Sequence, residues 1–145
     1  MKIGHGERGA ALVEAALVIP ILLLISVGIF EFGRAFQTWQ VLTNAAREGA
    51  RASVLPTGTP AGAESVVRQY MQNGALPQHA TSPVAVDRDA TMIVDGTPVS
   101  ASEVIIDYPF DFMVLQPVAQ LVVAGTSTGS SLTMRATALM RNEAQ

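Results

Sequence analysis

The sequence predicts an α+β protein in which one long N-terminal helix crosses a membrane and then carries a small antiparallel sheet. Three observations predict it: an uncharged apolar run near the start, a helical periodicity that continues past that run, and alternating apolar residues in the second half. Of 145 residues, 49% are hydrophobic and only 14% charged, against the roughly 25% charge of an ordinary soluble domain. That balance disfavours disorder and points to lipid. A net charge of −3 argues against a nucleic-acid partner, which would require a basic face. Cysteine is absent, so disulfides, thiol nucleophiles and zinc–thiolate sites are excluded.

From Ala10 to Phe30 the chain reads AALVEAALVIPILLLISVGIF, with Glu14 as its one ionisable side chain. About 20 such residues cross a hydrocarbon core of about 30 Å as a helix. Lys2 and Arg8 ahead of the run also suit a secretory signal peptide. The uncharged stretch is nevertheless longer than the usual apolar region of roughly 7–15 residues. A carboxylate lies near its start, and no small-x-small cleavage site follows. A retained membrane helix is therefore the reading. Basic residues flank both ends, with Arg34, Arg47 and Arg51 beyond the far one, so their count does not set the orientation.

Beyond the run, Phe32, Ala35, Phe36, Trp39, Leu42, Ala46, Gly49, Ala50 and Ser53 recur at steps of three and four, the spacing of one helix face. No proline intervenes between Pro20 and Pro56, so a single helix is expected from Ala10 to Val54. At 1.5 Å per residue it is roughly 65–70 Å long, and its second half must bury its stripe outside the bilayer. Pro20 is expected to kink it, with Ser26 or a neighbouring helix serving the freed carbonyl. Gly28 and Gly33 read equally as flexible points at the membrane exit or as sites of close helix packing. Glu31 and Arg34, and Arg47 with Glu48 and Arg51, read as the solvated or head-facing polar side, or as a contact for another component.

LPTGTPAGA after Val54 is a loop. A short helix follows over Ala63 to Asn73, with Val66, Val67 and Tyr70 on one side and Gly74 as its stop. Val84 and Val86 alternate with polar neighbours, and Met92, Ile93 and Val94 run into Asp95-Gly96, a hairpin signal. Val104, Ile106, Tyr108, Phe110 and Phe112 alternate with Asp107, Pro109 and Asp111; Pro109 requires an edge position or a bend. Gln116 to Ala124 suits a helix or a strand, and Gly125 to Ser131 a loop. Leu132, Met134, Ala136, Ala138 and Met140 form the clearest strand pattern. The expected organisation is thus residues 1–9 as an N-terminal extension, 10–30 as the span, 31–54 as the helix continuation and 55–145 as the head. At roughly 90 residues with little core of its own, the head needs the helix to complete it.

Enzyme chemistry finds little support. His5 and His79 are the only histidines and lie far apart in sequence, leaving no pair for a metal or a proton relay. Asp87, Asp89 and Asp95, or Asp107 and Asp111, lack the spacing of a calcium loop, and turn or strand-face roles account for them. Gly58, Gly62, Gly125 and Gly129 lack the lysine and context of a phosphate loop. Phe36 and Trp39 read as packing or interface residues rather than a ligand box. No cofactor or metal is expected.

The N-terminal motif G-A-A-L-V-E, Gly9 to Glu14, carries the functional signal. A lone carboxylate in the head of a membrane helix costs about 2–3 kcal/mol at bilayer depth. Cleavage after Gly9 would place a free amine at Ala10, one turn from Glu14, able to pair with it in the same chain or a neighbour. Snorkelling to the headgroups is the equal alternative.

This run, with I-P-I-L-L-L, G-I-F-E-F-G-R and N-A-A-R-E-G-A-R up to Arg51, resembles the TadE-like proteins of tight-adherence pilus assembly. Tyr108-Pro109-Phe110 and the terminal A-T-A-L-M-R-N-E also resemble their C-terminal regions. The resemblance implies a minor pilin or pseudopilin of the bacterial inner membrane, with a cytoplasmic N-terminus and the head on the outer side. It implies Met1 to Gly9 as a leader removed by a prepilin peptidase, Ala10 as the mature start and Glu14 as the acidic assembly residue. Implied partners are membrane lipid, that peptidase, other pilins or pseudopilins and inner-membrane assembly proteins. Ala15 departs from the pattern, since processed members typically carry an aromatic residue there. The alternative is an uncleaved single-pass anchored accessory or binding protein with an extracytoplasmic head.

Overall fold

A computed structural model describes residues 5–117 and 131–142, with side chains from residue 9 onward. Helix α1 spans His5–Ser53, α2 Pro60–Asn73, and strands β1 Val84–Val94, β2 Thr97–Phe110 and β3 Leu132–Arg141 form an antiparallel sheet in the order β1-β2-β3. The expected Gln116–Ala124 element and Gly125–Ser131 loop fall outside the described residues except for Gln116, Pro117 and Ser131. The α+β class is as expected.

Helix α1 begins earlier than Ala10 and runs unbroken through Pro20. The proline lacks the N–H that would bond the Ala16 carbonyl. The Ser26 hydroxyl does not serve that carbonyl; it donates to Leu22 O at 2.8 Å. The first half of α1 is exposed over nearly its whole circumference, as a lipid-facing helix would be.

The second half buries a stripe of Glu31, Thr38, Leu42, Ala45, Ala46, Gly49, Ala50 and Ser53. This corrects the expected face. Phe32, Phe36 and Trp39 stay exposed, because they lie roughly 60–120° around the helix from Leu42. Large aromatics there are pushed to the flank, and small residues let α2 and the sheet approach the helix closely.

Helix α2 starts at Pro60 rather than Ala63. Thr59 is its N-cap, accepting from the Gly62 amide at 3.1 Å, and proline occupies the first turn, where it loses no intrahelical hydrogen bond. Its buried face is Ala63, Val67 and Met71; Val66 and Tyr70 lie at the margin. Gly74 ends it with φ −77°, and the left-handed residue is Ala75 at φ 56°. Glycine is needed at 74 because a Cβ there would come within 2.5 Å of Val41.

Gly49 lets α1 approach α2 closely. A Cβ at this position would stand 2.4 Å from Val67 Cγ2, and valine is stiff at χ1. Gly49→Ala gains up to about 1 kcal/mol of helix propensity but forces the two helices apart. The overpacking term of about 1–3 kcal/mol wins. The expected result is a lower unfolding midpoint in detergent, which chemical denaturation followed by Trp39 fluorescence measures.

The hairpin turns on Asp95 and Gly96, both at positive φ, as a two-residue turn between antiparallel strands demands. Asp87 accepts the Asp89 amide at 2.9 Å within the irregular pairing between Asp87 and Ala90. β2 is the central strand, yet Pro109 is tolerated. β1 begins opposite Ile106, so Pro109 has only β3 beside it, opposite Thr133. Val104, Ile106, Tyr108 and Phe110 from β2, with Met134, Ala136 and Ala138 from β3, close the core on α1.

Across β2 and β3, Asp107 and Arg135 are direct neighbours, and the guanidinium donates to both carboxylate oxygens at 2.7 and 2.9 Å. The Arg135 hydrogen bond holds the Asp107 carboxyl below the usual aspartate range against a smaller opposing effect of burial. A lowered native pKa stabilises the fold above the unfolded-state pKa, and this contribution disappears as pH falls through the native one. Asp107→Asn is expected to flatten the acid limb of the stability–pH curve below the ordinary aspartate pKa and to leave the alkaline limb unchanged. Unfolding midpoints across an acid titration check this. Because Arg135 is 67% exposed, the effect is modest and weakens with salt.

Candidate functional site

Two regions of α1 carry the polar groups that matter, its N-terminal turns and the point where the head meets it. Gly9, Ala10 and Glu14 lie within little more than one turn, all exposed. Regular helix before and after them places the Gly9–Ala10 peptide and the carboxylate on a continuous rod. Glu14 has no hydrogen-bond or ion-pair partner among the described residues. A Cβ at Gly9, Gly28 or Gly33 would meet no atom within 4 Å. Within this chain, then, Gly28 and Gly33 serve no close packing, and α1 is regular through both.

The junction was only half legible. Glu31 is completely buried, which carboxylates rarely are unless paired. Its Oε2 accepts from Arg34 at 2.9 Å and its Oε1 from the Val114 amide at 2.5 Å. Arg34 also reaches the Asp111 carbonyl at 3.4–3.5 Å and lies 5.1 Å over the Phe110 ring, which meets Phe112 edge-on at 5.3 Å. One ion pair on α1 thus clamps the end of β2 and the segment after it. The i, i+3 spacing of Glu31 and Arg34 at the end of the apolar run was the available signal, and it left open whether the pair faced solvent or head. The structure decides for the head. Arg47, Glu48 and Arg51 are solvated.

Beside the clamp, Arg34, Gln78, Tyr108 and Asp111 line a cavity of about 430 Å³. Burial raises the Tyr108 hydroxyl pKa above its ordinary value, partly offset by a backbone hydrogen bond at Gln78. Gln78 donates to Asp111 at 3.1 Å. Further up, Arg88 donates to the Gly58 and Leu55 carbonyls and closes the loop after α1. Arg68 bonds Glu64 and the carbonyls of His79 and Ala80, fixing the loop after α2. These cations, with Asp87, Asp107 and Asp111, have structural partners, and no cluster of metal-ligating side chains occurs among the described residues.

Among the described residues, one apolar helix of membrane-crossing length, exposed at one end and completing the core of a small α+β head at the other, defines a class. It fits single-pass anchored proteins. Residues 9–51 match the family model described as TadE-like protein, the same residues whose motifs carried the resemblance. No curated protein and no solved structure matches the chain significantly. The match points to a component of tight-adherence pilus assembly, a family of assembly proteins rather than of enzymes.

Proposed function

We propose that this chain is a minor pilin or pseudopilin of a tight-adherence pilus. In this reading residues 10–30 anchor it in the bacterial inner membrane with the N-terminus cytoplasmic and the head outside. A prepilin peptidase cuts between Gly9 and Ala10. The observation that carries the reading is the two-part character of α1, bare over its first half and buried under the head over its second, in register with the TadE-like match that begins at Gly9.

Cleavage removes Lys2, Glu7 and Arg8 and leaves an apolar end. Ala10, Ala11, Ala15 and Ala16 present small side chains along which neighbouring helices can approach. The new α-amino group at Ala10 offers Glu14 an opposite charge, in the same chain or the next. Such a pair offsets the roughly 2–3 kcal/mol that a lone carboxylate costs at bilayer depth, and so selects one register of helix against helix.

N-terminal sequencing of the protein from membrane and surface fractions, with and without the peptidase, tests the proposal. A peptidase-dependent start at Ala10 supports it. A start at Met1 in both strains replaces it with the uncleaved anchor, which the alanine at position 15 favours. Glu14→Gln keeps the size but loses the charge; the expected outcome is normal membrane insertion with loss of filament incorporation, read by comparing shed surface material with the membrane pool.

A further inference from the structure

We propose that the shallow apolar groove between α1 and the start of β3 is a membrane-surface dock that seats the head on the headgroup layer of the leaflet it emerges from. This rests on the anchored reading above. Phe32, Phe36 and Trp39 on α1 and Leu132 on β3 are 72, 64, 44 and 51% exposed, and together they line an open groove of about 540 Å³. Surfaces of this kind on a soluble head would be a liability.

Axial position identifies the occupant. At 1.5 Å per residue, Phe32, Phe36 and Trp39 stand about 33, 39 and 44 Å along the helix from Ala10. A bilayer including its headgroup layers measures about 40–45 Å. With residues 10–30 filling the hydrocarbon core of about 30 Å, Phe32 falls in the far headgroup layer and Phe36 and Trp39 stand just above it, their side chains leaning back along the helix toward that layer, where aromatic side chains gather because one end of the ring meets acyl chains and the other meets water.

Charge agrees with this placement. Between Glu14 and Arg47 the only ionisable residues are Glu31 and Arg34, and these neutralise one another against the head. The exposed flank of the helix therefore stays uncharged up to Trp39. Arg135, the one charged residue lining the groove, is 67% exposed and already paired with Asp107, so it brings no net charge to the groove. A second copy of the helix fits less well, since close helix pairs in membranes favour small residues at the contact and this flank presents three large rings.

Trp39 is the only tryptophan in the chain, so the native protein reports on its own groove. The full chain is reconstituted in phosphatidylethanolamine–phosphatidylglycerol vesicles carrying a spin label either in the headgroup or deep in the acyl chain. The expected result is several-fold stronger quenching of Trp39 by the headgroup label than by the deep label, with little quenching by aqueous acrylamide. Phe36→Ser combined with Leu132→Ser, both at exposed positions, is expected to weaken the headgroup quenching and shift the emission to the red.

Acrylamide access with no response to either label overturns the proposal. So does shielding from water and lipid alike that grows with the protein-to-lipid ratio, which would assign the groove to a second copy. A Leu22→Trp, Trp39→Phe variant separates the two readings. If the deep label quenches Trp at 22 while Trp39 ignores lipid, the anchor stands and the dock falls; if the variant ignores the deep label, both fall.

Discussion

Leu42→Ala is expected to lower the stability of the head by about 3–4 kcal/mol, the upper part of the range for a buried leucine. Leu42 projects from α1 and is fully buried in the core that α1 and α2 form with the sheet. Its neighbours along the helix are Ala45 and Ala46. Alanines on a rigid helix have no side chain to swing into the space, so the cavity persists and its energetic penalty with it. For a domain whose total stability is about 5–15 kcal/mol, this is a large share. Denaturant unfolding in micelles, read by Trp39 emission, should show the midpoint falling. Far-UV helicity should fall only in part, because the exposed half of α1 draws no support from the head.

Arg34→Ala is expected to destabilise the junction by about 2–3 kcal/mol. The substitution strips one of two donors from a carboxylate that is entirely out of solvent, and an uncompensated buried charge is penalised more heavily than the pair was worth. The figure lies below that for a fully enclosed pair because the Arg34 side chain is 29% exposed and water can reach part of the gap. Glu31→Gln is the milder change, since the amide oxygen can still accept from Val114. Adding Glu31→Gln to Arg34→Ala should recover much of the loss, which a simple packing defect at Arg34 would not. Hydrogen exchange at Val114 separates the variants: fast in Arg34→Ala, slower in the pair.

The hairpin, the β3 alternation and the length of α1 could all be read in the sequence because each is governed by local chemistry. Asp95-Gly96 supplies the positive φ angles, alternation fixes which face is apolar, and the lack of proline between Pro20 and Pro56 lets one helix run on. The start of α2 is also local, in the Thr59 cap and Pro60, which lie outside the apolar spacing of Val66, Val67 and Tyr70 that points to Ala63.

The assignment of the buried stripe was not local. Periodicity grouped Phe32, Phe36 and Trp39 with Leu42, since all recur at helical steps, and it had no means of ranking a charged residue above an aromatic one. Glu31 could take the inner position only because the amide of Val114, 83 residues away, came to meet it. The same holds for the centrality of β2 and its tolerance of Pro109, which depend on where β1 begins. The sequence by itself determined that an apolar helix precedes a head it must help to complete, because hydrophobic runs, alternation and turn chemistry act over a few residues. Only the tertiary structure decided which side of that helix the head covers and which aromatic flank stays bare, because that choice rests on hydrogen bonds and close approaches between distant segments.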